Sequence, residues 1–199
     1  MPPIVSEILK ITVKSEFTLD SPEFAQVRKV VVECGVKEQY YGTCMDTPNT
    51  LLWVIQWPAD KGPLEAQEFR KCVAALDVSG EPVSSYLPFD HESLPRAALT
   101  ARVCQLCFLH VNSAADKAKL VHSLNKTFTD CYFAEGFTGG HWSTATNDDR
   151  LNYYYLGWES RELHAAFSKT DLFSVEINVL MPHMDSFGTH FMHMTQQLK

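Results

Sequence analysis

The sequence repeats itself. Sliding it by 101 residues without gaps lays Tyr40-Tyr41-Gly42 on His141-Trp142-Ser143, Asp46 on Asn147 and Trp57 on Trp158. A shift of 98 then lays Phe69 on Phe167. Few residues are identical, so the shared order of elements carries the argument. A repeat of this kind means that each copy is one supersecondary unit with an apolar face to bury.

The first copy reads β-α-β-β-α-β. Ile8–Lys14 alternates apolar and polar, as a strand does. Asp20-Ser21-Pro22-Glu23 signals a helix start, with a capping residue, a proline in the first turn and an acid. Phe24, Val27, Val30 and Val31 follow at helical spacing, and Gly35 is the stop. Gln39–Asp46 and Leu51–Trp57 are strands around the turn Thr47-Pro48-Asn49. Pro63–Leu76 is a second helix with Leu64, Phe69, Val73 and Leu76 on its apolar side. Pro82–Phe89 is the fourth strand.

After a polar connector at Asp90–Ala101 the pattern restarts. Val103–Val111 is a strand and Ala114–Cys131 a helix. Thr138–Thr146 and Leu151–Trp158 are strands around Asn147-Asp148-Asp149. Ser160–Ser168 is a short helix. In Phe173–Met181, Val175, Ile177 and Val179 alternate with Ser174, Glu176 and Asn178, which predicts a last strand with one apolar and one polar face. Pro182 ends it, and a tail follows.

The expected fold is therefore α+β: two tandem ferredoxin-like modules, residues 1–95 and 96–199, the second including the tail. Two antiparallel sheets packed face to face in a barrel-like way would cover each other, making the monomer an intrachain pseudo-dimer. Exposed apolar residues in the tail leave a homodimer open.

A formal net charge of -7 without a basic stripe argues against nucleic acid and against an anionic membrane surface. The N-terminus lacks the basic and apolar regions of a signal peptide, and no apolar run is long enough to span a bilayer, so a cytoplasmic protein is expected. Six cysteines then read as reduced thiols. Cys104 and Cys107 have C-x-x-C spacing, but on a strand they face opposite ways and would not share a metal. His183, His190, His193 and Asp185 sit in a Met-rich tail whose spacing fits no named zinc motif. That tail reads as an apolar segment docked on the body, as a lid or as a surface for a second chain. No metal site is expected.

Gly136-Phe137-Thr138-Gly139-Gly140-His141 leads into a strand, and Tyr153-Tyr154-Tyr155-Leu156-Gly157-Trp158-Glu159-Ser160-Arg161-Glu162-Leu163-His164 carries a third strand into a helix. These stretches resemble the dimeric α+β-barrel superfamily in its tandem fused form. The resemblance implies a Trp plugging the strand-helix corner, Ser160 capping the helix and Glu162 at its positive end. The first copy departs from it, since Trp57-Pro58-Ala59-Asp60 lacks the serine. The superfamily hosts cofactor-free monooxygenases, polyketide cyclases, haem-degrading enzymes, decarboxylases and proteins without known activity. Its haem-binding members carry a histidine just after the second helix, where this chain has Lys169-Thr170-Asp171-Leu172-Phe173. No G-x-G-x-x-G follows a strand, so neither a flavin nor a nicotinamide is indicated, and no cofactor is expected.

The second copy is richer in pocket-type polar groups. Pairing about an Asn147–Arg150 turn puts His141, Ser143, Tyr154, Leu156 and Trp158 on one hairpin face, and Trp142, Thr144, Tyr153 and Tyr155 on the other. His141 and Tyr154 are the expected acid/base pair, with Glu176 as an alternative base. Ser143, Trp142, Trp158, Tyr155 and Asn178 are the expected substrate contacts. The functional expectation is an enzyme of polyketide-type metabolism on a hydrophobic small molecule: a cyclase, isomerase or decarboxylase working by general acid/base catalysis. Two alternatives stand beside it: a cofactor-free monooxygenase of phenols, and a non-catalytic binding or scaffold protein.

Overall fold

A computed structural model describes residues 4–58, 60 and 66–199. They form two compact units, Met1–Ser93 with Thr195–Lys199, and Leu94–Met194.

Elements are numbered along the chain. The first unit holds β1 (Ile4–Thr12), α1 (Pro22–Glu33), β2 (Glu38–Thr43), β3 (Thr50–Pro58), α2 (Gln67–Leu76), β4 (Val83–Phe89) and the C-terminal β9 (Thr195–Leu198). Its antiparallel sheet runs β4-β1-β3-β2-β9. Ser21 starts α1, its Oγ accepting from the Phe24 N–H at 3.4 Å, with Pro22 in the first turn. Phe24, Val27 and Val31 of that helix bury against Trp53, Ile55 and Trp57 of β3. Trp53 sits edge-on between Phe24 and Phe69, at 5.0 and 5.6 Å. Each such aromatic pair contributes about 0.5–1.5 kcal/mol beyond its buried area. Of the predicted second helix, Pro63 and Leu64 lie outside the described residues.

The second unit holds α3 (Arg96–Leu99), β5 (Val103–Val111), α4 (Lys117–Thr129), β6 (Phe137–Thr144), β7 (Leu151–Trp158), α5 (Arg161–Phe167), α6 (Asp171–Leu180) and β8 (Met184–Met192). Its sheet runs β6-β7-β5-β8. Read from the other edge this is the same order of first, second, third and fourth strands as in the first unit. Both units are ferredoxin-like.

The two hairpins share a register. Tyr41 pairs with Trp53, and Trp142 pairs with Tyr154. In both, a closing backbone bond follows the ladder: Cys44 N to Thr50 O and Ala145 N to Leu151 O, each 2.8 Å. The gap-free shift of 101 therefore preserves strand pairing as well as sequence landmarks.

Three sequence expectations need correction. First, residues 146–150 form the second hairpin's loop, one residue more than Asn147–Arg150 allows. One residue of slip moves a strand to the other face. Trp142 thus lies opposite Tyr154, while His141 pairs with Tyr155 and Ser143 with Tyr153. Second, Phe173–Met181 is not a strand. Thr170 caps a helix there, its Oγ1 accepting from the Phe173 N–H at 3.2 Å. Glu176 and Asn178 accordingly stand on α6. The alternating pattern also places Phe173, Ile177 and Met181 at helical spacing, and packing chose that face over the β-branched preference. Third, the tail is not merely docked. Met184–Met192 is the fourth strand, paired with β5, and Thr195–Leu198 pairs with β2.

Among the described residues no helix is long and apolar enough to cross a membrane.

Candidate active site

A cavity of about 440 Å³ lies inside the second unit. Its floor is the helix-facing side of the sheet: Gln105, Cys107 and Leu109 of β5, Tyr154, Leu156 and Trp158 of β7, and Phe187 and Thr189 of β8. Its roof includes Phe173 and Ile177 of α6. Thr127 and Tyr154 also line it, their hydroxyls donating to the Ser123 and Leu124 carbonyls, and the remaining polar groups gather at one end in a hydrogen-bonded chain.

That chain can be read donor by donor. The Trp158 indole N–H donates to Gln105 Oε1 at 2.9 Å. An indole nitrogen only donates, so the Gln105 amide oxygen must face it. The Gln105 NH₂ then points away from Trp158. It donates to Thr189 Oγ1 at 2.9 Å and lies 3.3 Å from His164 Nε2. With a donor facing it, Nε2 is the acceptor of a neutral imidazole, and the ring proton sits on Nδ1. Burial holds the His164 pKa below the usual imidazole value, and the nearby Arg161 charge adds to this. The ring is fixed edge-on between Trp158 (5.1 Å) and Phe191 (4.9 Å). No lysine or arginine is among the described lining residues. Besides the hydroxyls already bonded to backbone carbonyls, the cavity therefore offers a neutral base, the Gln105 amide and the Thr189 hydroxyl to an uncharged apolar guest.

Of the residues singled out in the sequence, Tyr154 and Trp158 line this cavity and the others do not. The Tyr154 hydroxyl donates to the Leu124 carbonyl at 2.8 Å. Burial raises its pKa well above that of a free phenol, with Cys107 and Cys131 adding to the effect. It is a wall and an anchor for α4. His141 stacks on Phe128 at 5.9 Å, and its Nδ1 accepts from the Trp142 N–H. Trp142 stacks on Tyr154 and donates to Asn125. Ser143 and Tyr155 sit on the ladder away from the cavity, Glu176 is buried on α6, and Asn178 is exposed. Gln105, His164 and Thr189 were missed. Gln105 is a lone polar residue at a helix-facing position of an apolar strand, which is a readable signal. His164 closes the Trp158–His164 stretch, but only the fold aims it at Gln105.

Cys107 also lines the cavity, whereas Cys104 falls in the alternate set on β5. Burial pushes the thiols of Cys104, Cys107 and Cys131 up to about 12. Thiolate is the reactive form, so these cysteines are poor nucleophiles. Iodoacetamide at mildly alkaline pH is expected to leave all three unmodified in the folded protein and to alkylate all six cysteines after unfolding, read by mass spectrometry. Labelling of Cys107 in the folded state would show that the cavity is open to bulk water. Among the described residues no cluster of three His, Cys, Asp or Glu side chains is placed to hold a metal ion.

Solved structures match the whole chain. A proposed monooxygenase from Lactobacillus acidophilus superposes with a TM-score of 0.66 at 16% identity, over 100% of this chain and 97% of its own. One from Fusobacterium nucleatum gives 0.68 at 10% identity, over 100% and 95%. An anthrone oxidase-like protein gives 0.66 at 9% identity, over 98% and 93%. The chain shares the two-unit fold of these proteins. No family model and no curated protein matches it.

Within this tandem fold the two units treat the same corner differently. Val5 pairs with Trp57 and Val103 with Trp158, so Glu7 occupies the position of Gln105. Trp57 donates to Glu7 Oε2 at 2.8 Å. Arg70 grips both Glu7 oxygens at 2.6 and 2.9 Å, and Ser84 adds a bond of 2.7 Å. Four groups close that corner with a buried ion pair. In the second unit the carboxylate is an amide, the arginine is absent and the cavity remains. Trp53 fills more of the first core than Tyr154, at the matching position, fills of the second.

Proposed function

We propose that the second unit is an enzyme site of polyketide-type metabolism that oxygenates a hydrophobic, phenol-bearing compound, with His164 as general base. The observation that carries this reading is the apolar cavity with its one polar end, Trp158–Gln105–Thr189/His164. The monooxygenase and anthrone oxidase-like descriptions of the proteins sharing the fold favour oxygenation over cyclisation. An anthrone-type substrate has a methylene between aromatic rings. When the substrate's oxygen takes over the Gln105 N–H that faces His164, Nε2 is released and takes a proton from the methylene, leaving an electron-rich enolate that fits the apolar walls. Dioxygen then accepts four electrons. One of its atoms becomes the new carbonyl oxygen, the other leaves as water, and the CH₂ becomes C=O. Gln105 and Thr189 hold the oxygen substituent that carries the developing charge.

The test is dioxygen uptake by the full chain with a panel of anthrones and hydroxynaphthalenes. One O₂ consumed per carbonyl formed is the expected result. Turnover without oxygen uptake would favour the cyclase or isomerase reading, which uses the same base. Saturable binding with no turnover of any panel member would leave the site as a binding pocket.

A further inference from the structure

The first unit carries a separate cavity of about 270 Å³, lined by Ile4, Lys37, Glu38, Gln56, Pro58 and His91 among others. Gln56 is on β3, in the set that alternates with the core residues Trp53, Ile55 and Trp57. It is only 4% exposed, and neither Oε1 nor Nε2 of its amide has a hydrogen-bond partner. The other buried glutamines are satisfied. Gln39 accepts from Trp53 and donates to the Arg28 carbonyl, and Gln105 is bonded on both sides. Among the described residues, Gln56 is the one side chain with a buried donor and a buried acceptor both left unmade. Such groups are costly, at about 1–3 kcal/mol each.

The remaining polar lining narrows what would relieve that cost. Glu38 already accepts from the Tyr40 hydroxyl, which in turn accepts from Gln196 at 3.0 Å. Lys37 and Glu38 bring opposite charges to the same wall, so the site does not select a net charge. The volume lies just below the roughly 300–1,000 Å³ of drug-sized pockets, which suits a single ring. The Gln56 amide is shielded from water at rest; its terminal torsion is soft, and pairing with a ligand would require the amide to turn toward the cavity.

We infer that this cavity is a second small-molecule site, for an uncharged ligand with adjacent N–H and C=O groups (a lactam, a cyclic ureide or a carboxamide) paired edge to edge with Gln56. It is independent of the oxygenase reading, since it shares no residue with the cavity of the second unit.

The probe is uracil, titrated into the full chain while nitrogen–proton spectra follow the Gln56 side-chain amide. A saturable shift with a millimolar-range Kd is expected. The doubly N-methylated analogue keeps the ring and both carbonyls but has no N–H, and should bind at least about tenfold more weakly, a difference of about 1.4 kcal/mol. Gln56→Met should lose uracil binding by a similar factor while melting no lower than the parent, because the unpaired amide is gone. Absence of a saturable shift overturns the proposal. So does equal binding of the methylated analogue, or unchanged uracil affinity in Gln56→Met. The two ligands on the unaltered protein decide the matter even if that variant folds poorly.

Discussion

Arg70→Ala is expected to lose about 3–5 kcal/mol of stability, because it leaves the Glu7 carboxylate uncompensated in the core. Glu7 is fully buried and Arg70 half-buried, with a bidentate pair of charge-assisted bonds between them. Surface ion pairs contribute at most about 1 kcal/mol, so the size of the loss separates the two cases. The comparison that isolates the charge is Glu7→Leu with Arg70→Leu in one chain. Removing both charges together should cost far less than removing the arginine alone. Glu7→Gln copies the amide of the second unit. It keeps an acceptor for Trp57 and leaves an arginine that can reach water, so an intermediate loss is expected. Urea unfolding of the three variants provides the measurement. A loss below about 1 kcal/mol for Arg70→Ala would mean that water reaches Glu7 in solution.

His164→Ala should lower kcat/KM for the substrate identified by oxygen uptake by about 10²–10⁴-fold, the usual contribution of a general base. The fold should be little affected, since the histidine is half-buried and joined to Gln105 by one long hydrogen bond. The pH dependence is more diagnostic. His164 works in its neutral form, and its folded pKa is depressed by burial and then by Arg161. The acid limb of kcat/KM should therefore lie below the ordinary imidazole value of 6.5. Arg161→Gln removes one of the two causes and should move the limb upward, towards that value. A purely structural histidine would show no such movement. Stability follows the same sign. Below 6.5 the unfolded chain binds a proton that folded His164 refuses, so unfolding becomes easier as pH falls towards the folded pKa. Above 6.5 the contribution is complete and constant. His164→Ala should flatten this part of the stability profile.

The repeat was legible because register landmarks recur at a constant offset, and a constant offset preserves strand pairing. The caps were legible for a local reason: Ser21 and Ser160 bond within three residues of themselves, to Phe24 and Leu163. The last helix was not. Val175, Ile177 and Val179 satisfy a period of two, but on the helix only Ile177 of the three turns to the cavity, with Phe173 and Met181, while Val175 and Val179 stay 56% and 46% exposed. The Thr170-Asp171 start and the helical spacing of Phe173, Ile177 and Met181 were local signs of a helix that the alternation masked. The hairpin face failed on a single residue of loop length, to which alternation is blind.

The candidate site shows the same division. Trp158 was picked out because a large aromatic at a strand-helix corner is a local feature. His141 was expected beside Tyr154 because the assumed pairing put them on one hairpin face, and nothing local singled out His164. The sequence by itself determined two ferredoxin-like modules, their order and their equivalent tryptophans, since these depend on periodicity, turns and caps within short windows. Only the tertiary structure decided that Gln105, His164 and Thr189 meet. They come from β5, α5 and β8, and no spacing along the chain encodes that the Trp158 N–H fixes one amide, which then fixes the tautomer of one histidine.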